Sequence, residues 1–379
     1  MTQTSDLLPL LQGALIWNQA CVPQRRVPRF ELTDLIRFQD AWYCGFREGD
    51  IHDHHPSGRA RVIRSADGAR WESVALFQWD GADVREPSFS VTAEGTLMVS
   101  TAIRFVSRGP RERGHYYNLE SSRIDATDEE AQVAMQSVNW LSPDGRRWSS
   151  AHACPTGINS WRWQTTWHNG MGYSVGYAGR DRAGTLYRTR DGRQWRALGV
   201  NVFPNGQGNE MSLAFDEQDH AIALLRDAQL RSQPADVVAS DGHQIERHQS
   251  RRVHGGALPM IGFSKAPYYQ DWQWRELRID WDGQGPKPAE QVLAAPFGGP
   301  KLMRLRDGRF VAVARVLAPG LDDGAIVLFH VDPQRALLTR WTQCAGTTYG
   351  GVQEHDGQLW ISYGARDVSG IHLARVAIP

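Results

Sequence analysis

A seven-residue phrase occurs three times in this chain, and it constrains the fold more than any other feature. Ser65 to Trp71 reads SADGARW, Ser142 to Trp148 reads SPDGRRW, and Thr189 to Trp195 reads TRDGRQW, with a decayed copy, SDG, at Ser240 to Gly242. An Asp side chain accepts hydrogen bonds from backbone groups two residues on, and Gly takes positive φ without steric cost, so each copy specifies a tight turn. The segments around the first copy, Trp42 to Phe46 and Arg59 to Arg64, carry Tyr43, Cys44, Phe46, Val62 and Ile63. Such residues suit a pleated, half-buried strand, which makes the repeated phrase a hairpin turn within a recurring sheet unit.

Six such units can be marked by their first two strands: Thr33 to Phe38 with Trp42 to Arg47, Ser88 to Thr92 with Thr96 to Arg104, Arg162 to Trp167 with Met171 to Arg180, Glu210 to Phe215 with Ala221 to Arg226, Lys301 to Leu305 with Phe310 to Arg315, and Tyr349 to Glu354 with Gln358 to Tyr363. Outer strands are expected at Val133 to Ser149, Thr185 to Leu198, Ala235 to Ser240 with Trp272 to Ile279, Ala325 to Val331, and Ile371 to Ala377. Six four-stranded antiparallel units predict an all-β, six-bladed β-propeller. The last unit is one strand short, and the N-terminal GALIWN is expected to supply it, closing the ring and removing exposed edges. Val106 to Gln132 and Gln249 to Gly299 read as long loops, and residues 1–379 as one domain.

The composition, with Gly 37, Trp 15 and Tyr 10, fits many strands and turns. A formal net charge of +0 leaves no footprint for nucleic acid or an anionic membrane. Lysine occurs only at Lys265, Lys287 and Lys301, so the basic groups are almost all arginine, the better group for carboxylates. The cysteines, Cys21, Cys44, Cys154 and Cys344, are far apart and read as free thiols. In the loop IHDHH, adjacent His54 and His55 would point apart, so no metal site is expected, and no cofactor motif is found. The N-terminus has no basic stretch before its short apolar run, and no apolar run is long enough to span a bilayer, so a cytoplasmic protein is expected.

In an up-and-down blade, the turns between strands one and two and between strands three and four share one end of the ring. The loops after strand two and the starts of strand one occupy the other end. Every strand two closes on arginine: Arg47, Arg104, Arg180, Arg226, Arg315 and Arg366. The starts of strand one bring Arg85-Glu86, Arg162, Glu210 and Tyr349 to the same end. About half of the six closing arginines are expected to turn into a central depression, where propellers commonly hold ligands.

The three phrases resemble the Asp boxes, or BNR repeats, of the sialidase superfamily of six-bladed propellers, in which they lie on the face away from the active site. The resemblance extends to the site face. It implies an acid/base Asp in the loop REGDIHDHHPSG, matched by Asp53, with Asp50, Glu48, His52 and His54 beside it. It implies a Glu starting a middle blade, matched by Glu210 in NEMSLAF, and a Tyr nucleophile starting the last, matched by Tyr349. Arg226 and Arg315 resemble two of the three arginines that grip the substrate carboxylate. The Arg-Ile-Pro motif of the first blade is absent, VPRFELTDL standing there, and Arg47 or Arg85 would have to replace its arginine.

On this resemblance the chain is expected to be an exo-acting glycoside hydrolase that removes a terminal acidic sugar. Tyr349 would attack, Glu210 would take its proton, and Asp53, or Asp50, would serve the leaving group. Arg47, Arg85, Arg162, Arg226, Arg315, Glu48, His52 and His54 would contact the substrate. Two other readings are a lyase acting on a uronic-acid polymer and a sugar-binding propeller without catalysis.

Overall fold

The computed structural model describes residues 10–51, 55–105, 115–116, 124–125, 135–206, 208–226, 259–283, 285, 297–316, 324–365 and 369–379. These build six twisted antiparallel sheets around an axis. From the axis outward, the first blade is Arg29–Phe38, Ala41–Gly49, Arg59–Ser65 and Glu72–Phe77. In the second, Ala82–Val84 and Ser88–Val91 both pair with Leu97–Phe105, followed by Met135–Ser142 and His152–Ile158. In the third, Trp161–Arg162 and Thr166–His168 pair with Met171–Tyr177, followed by Thr185–Thr189 and Arg196–Val200. The fourth is Met211–Phe215, Ala221–Leu225, Met260–Ser264 and Gln273–Glu276. The fifth is Phe297–Arg304, Phe310–Val316, Ala325–Asp332 and Leu337–Cys344, with Arg278–Asp280 added parallel to its outer edge. The sixth is Gly351–His355, Gln358–Ala365, Gly370–Ala377 and, outermost, Ala14–Asn18.

Hydrogen bonds between inner strands hold the hub together. Phe89 N donates to Asp34 Oδ2 at 2.7 Å, Trp167 Nε1 to Ser90 Oγ at 3.1 Å and Thr166 Oγ1 to the Leu213 carbonyl at 2.7 Å. Leu302 N donates to Ser212 Oγ at 2.8 Å, and Thr33 N to the Tyr349 carbonyl at 3.0 Å. The core is divided in the same way, with buried apolar clusters wedged between neighbouring blades. Phe38, Tyr43 and Val62 of the first blade pack against Val84, Val99 and Trp140 of the second. Trp17, Trp360 and Ile371 of the sixth pack against Trp42, Phe46 and Ile63 of the first.

The repeated phrases form the expected turns. Ser65 Oγ accepts from Gly68 N at 2.8 Å, and Asp67 Oδ1 accepts from Ala69 N and Arg70 N, each at 2.9 Å. These amides hold the Asp67 carboxyl well below the usual carboxylate range. The same amide pattern recurs at Asp144 and Asp191. The turns also join blades. A Cβ on Gly68 would lie 2.7 Å from Trp360, one on Gly145 2.0 Å from the Tyr43 hydroxyl, and one on Gly192 2.6 Å from Met98 Sδ. Each of these neighbours sits on the second strand of the preceding blade.

The outer strands of the fourth blade differ from the sequence-based expectation, and Gln249 to Gly299 is not a loop throughout, because it holds Met260–Ser264, Gln273–Glu276 and Arg278–Asp280. The stretch Ala235 to Ser240 and the SDG copy lie outside the described residues, and the partner of Ala221–Leu225 is Met260–Ser264. Trp272 to Ile279 is not one strand. Leu277 and Ile279 bury into the apolar wedge between blades four and five, carrying Arg278–Asp280 over to the fifth blade. Among the described residues no helix is long and apolar enough to cross a membrane, and no cluster of His, Cys, Asp and Glu could hold a metal ion.

Gly145→Ala should reveal the joint between blades. Its φ of +70° and the Tyr43 hydroxyl both oppose a side chain, whereas Gly170, at φ +76°, has nothing within 4 Å. In urea denaturation Gly170→Ala is expected to cost about 1 kcal/mol and Gly145→Ala roughly 2–3 kcal/mol. Equal losses would reduce the turn to a local hairpin.

Candidate active site

Ring closure brings together groups from three blades at the end opposite the repeated turns. Glu210 immediately precedes the fourth blade's inner strand, Met211–Phe215, and Arg226 immediately follows its second, Ala221–Leu225. Tyr349 lies two residues before the sixth blade's inner strand, Gly351–His355. The Tyr349 hydroxyl donates to Glu210 Oε1 at 2.8 Å. Arg226 Nη1 donates both to that same oxygen and to the Tyr349 hydroxyl, each at 2.9 Å.

The fifth blade, between them, fixes the other carboxylate oxygen. Its inner strand slips register between Gly298 and Lys301, and in that irregularity Gly299 N donates to Glu210 Oε2 at 2.7 Å. Gly299 has φ +59°, and a Cβ there would lie 2.2 Å from the Tyr349 ring, so backbone and phenol meet only because the residue is glycine. On another side Trp163 presents itself edge-on to Tyr349, with centroids 5.5 Å apart and planes at 81°, and is held by a 3.2 Å bond from its Nε1 to the Pro300 carbonyl. Burial pushes the Tyr349 phenol well above its ordinary pKa. Arg226 opposes this shift, while Glu210 and Glu86 add to it.

Tyr349 also lines a narrow depression with Leu32, Thr33, Glu86, Trp163 and Lys301. Lys301 is buried and paired with Asp34 of the first blade. Glu86 lies between the second blade's two inner strands, Ala82–Val84 and Ser88–Val91; its Oε1 accepts from Arg85 Nη2 at 2.9 Å, while its buried Oε2 has no hydrogen-bond partner among the described residues. The sequence places Glu86 at this end of the ring and no more. An unsatisfied buried oxygen is not visible in a sequence.

Several expected substrate contacts are used inside the protein. Arg47 is 0% exposed: Nε and Nη2 reach the two oxygens of Asp83 at 2.9 and 3.1 Å, and Nη1 reaches Glu31 at 2.8 Å. It also ties down the following loop, donating to the Ile51 carbonyl at 2.9 Å, while His55 N donates to Asp83 at 3.2 Å. Glu48 is buried in a bidentate pair with Arg61, at 2.6 and 2.9 Å, and also receives Arg25. Arg162 points outward between blades two and three, its guanidinium 4.8 Å from the Trp195 ring centroid and donating to Thr156 Oγ1 at 3.4 Å. Each of these three side chains is buried and enclosed by protein partners among the described residues.

Arg85 is buried against Asp83, Glu86 and the face of Trp161. Arg180 reaches the Pro155 carbonyl. Arg315 is half-buried, at the end of a strand that pairs it with Gly298, the residue 3.2 Å from the Tyr349 ring when given a Cβ. His52, Asp53, His54 and Arg366 lie outside the described residues.

No protein-family model matches the chain, and no curated protein matches its sequence. Solved structures do. A protein of unknown function from Dyadobacter fermentans superposes with a TM-score of 0.65 at 13% identity, covering 98% of this chain and 100% of that one. An α-L-arabinanase from Penicillium chrysogenum, complexed with arabinobiose, gives 0.61 at 11% identity, covering 98% and 99%. The NanB sialidase from Streptococcus pneumoniae gives 0.60 at 9% identity, covering 99% of this chain and 70% of that one. At such identities the likeness establishes the six-bladed propeller shared with sialidases and arabinanases.

Arg47→Ala separates a structural from a substrate-gripping role. With Asp83 and Glu31 each losing the buried guanidinium that bridges them, chemical denaturation should show a loss of about 3 kcal/mol. An unchanged unfolding midpoint accompanied by a raised KM would instead restore Arg47 to the substrate.

Proposed function

We propose that this protein is a retaining, exo-acting glycoside hydrolase in which Tyr349 is the nucleophile and Glu210 its base. The observation that carries the reading is the 2.8 Å bond from the phenol to a carboxylate that the Gly299 amide and Arg226 already hold in place. A phenol is a poor nucleophile near neutrality, and burial makes this one harder still to ionise, so its proton must leave as attack proceeds. Glu210 Oε1 is placed to receive it.

In the first step the Tyr349 oxygen bonds to the anomeric carbon as its proton passes to Glu210. The bond to the leaving group breaks, and the leaving oxygen takes a proton from a carboxylic acid, the role proposed for Asp53. In the second step that carboxylate removes a proton from water, the water oxygen replaces Tyr349 at the anomeric carbon, and the phenoxide recovers its proton from Glu210. Arg226 Nη1, 2.9 Å from the hydroxyl, supports the negative charge on the tyrosine oxygen as it attacks and as it leaves. A neutral nucleophile also avoids repulsion from an anionic sugar.

An acidic terminal sugar is proposed as substrate, its carboxylate met by Arg226, which is bonded to Tyr349, and by Arg315, whose strand pairs it with Gly298 beside that ring. The unpartnered Oε2 of Glu86 would accept a sugar hydroxyl. Arabinobiose bound to the Penicillium arabinanase supports a saccharide as the class of ligand for such a fold.

Tyr349→Phe is expected to lower turnover of activated aryl glycosides roughly 10³-fold or more while the protein still binds sugar. Products should show new reducing ends without the ultraviolet absorbance of an unsaturated uronate. That absorbance would identify a lyase, and a wild-type protein that binds without turnover would identify a lectin. The raised Tyr349 pKa has a further consequence. The alkaline limb of kcat/KM should show no tyrosine ionisation below about pH 10, since the phenol keeps its proton until Glu210 removes it. A limb near pH 8 that disappears in Tyr349→Phe, with residual activity retained, would contradict this.

A further inference from the structure

The third repeated turn departs from the other two in a way the proposed reaction does not use. In the first two turns an arginine folds back on the turn's own aspartate: Arg70 Nε meets Asp67 Oδ2 at 3.2 Å, and Arg147 Nε meets Asp144 Oδ2 at 2.7 Å. In TRDGRQW that position is Gln194, and arginines stand elsewhere, at Arg190 within the turn and at Arg188 and Arg196 on its two strands. Arg188 and Arg196 are direct cross-strand partners, a like-charge pairing that destabilises a ladder unless an anion intervenes.

Arg188, Arg190 and Arg196 are all exposed, and their guanidinium groups make no hydrogen bond or ion pair with a described residue. Together with Met171, Thr189, Asp191 and Gln194 they line a depression of about 580 Å³. Asp191, its one carboxylate, turns Oδ1 to the amides of Arg193 and Gln194, at 2.8 and 2.9 Å, and to Thr189. Three planar cations around a concavity, with the exposed Gln194 amide beside them, match a carboxylate on a sugar ring.

The depression is separate from the Tyr349 site. Met171 opens a strand that Tyr177 closes, about 20 Å away at 3.3 Å per residue, and Tyr177 is the end that feels Glu210, Glu86 and Tyr349. No aromatic ring on which a base could stack lines it, and the chain's net charge is +0.

We propose that this depression is a second, non-catalytic site that binds the carboxylate groups of an acidic polysaccharide, tethering the protein to a polymer. The choice of a glycan as the polyanion rests on the function proposed above; the site itself does not.

Affinity electrophoresis through gels containing polygalacturonate, compared with gels containing neutral dextran, tests it. Wild type and Tyr349→Phe should be retarded equally by polygalacturonate alone, and Arg188→Gln/Arg196→Gln should weaken that retardation at least fivefold while hydrolysing a small aryl glycoside at the wild-type rate. Arg188→Lys/Arg196→Lys, which keeps the charge but not the planar fork, should fall between them. Retardation unchanged in the glutamine variant, no retardation of wild type, or displacement by an equal charge concentration of duplex DNA would each overturn the proposal. Catalysis by Tyr349→Phe would sink the hydrolase reading and leave this site standing.

Discussion

Pairing of the first strand with the last holds the molecule in register. Ala14–Asn18 lies antiparallel to Gly370–Ala377, Gly13 N donates to the Tyr363 hydroxyl at 3.0 Å, and Trp17 buries between the sixth and first blades. This joint makes the sixth blade four-stranded and places its inner strand against the first, where Thr33 N meets the Tyr349 carbonyl. Tyr349 is thereby held from one side by the first blade and from the other by Glu210, 139 residues away in sequence. The hydrogen bond at the heart of the site is a closure contact of the ring.

Charge is distributed according to what the fold needs. Moving a guanidinium into the interior is costly unless carboxylates meet it with good geometry, and Arg47, between Asp83 and Glu31, satisfies that condition completely. Arg61 and Arg25 around Glu48 form a second such group. Arg226 differs because its side chain is still 27% exposed after pairing with Glu210. The same residue type at the same repeated position therefore has distinct surroundings, set by which neighbouring strands supply an acid.

That difference explains what could be read beforehand. The repeated turns were legible because their chemistry is local: a hydroxyl, an aspartate and a glycine within four residues determine the backbone. The number of blades followed from alternation, and the end of the ring carrying Glu210, Arg226 and Tyr349 followed from up-and-down order. The resemblance of NEMSLAF and TTYGG to sialidase segments singled out Glu210 and Tyr349. What escaped notice depends on distant partners: Asp83 reaching Arg47, the amide of Gly299 reaching Glu210, and the passage of Arg278–Asp280 to the fifth blade. The outer strand Leu337–Cys344 was missed because its middle, Thr339 to Thr342, is half-buried and breaks the alternation.

The proposed mechanism turns on which oxygen becomes bonded to the sugar. A fluorinated, activated glycoside of an acidic sugar, which forms the glycosyl-enzyme quickly and releases it slowly, would be incubated with the protein and the digest analysed by mass spectrometry. The account predicts one glycosyl group, on the peptide containing Tyr349 and on its phenolic oxygen. Labelling of Glu210, Glu86 or any other carboxylate instead would contradict it.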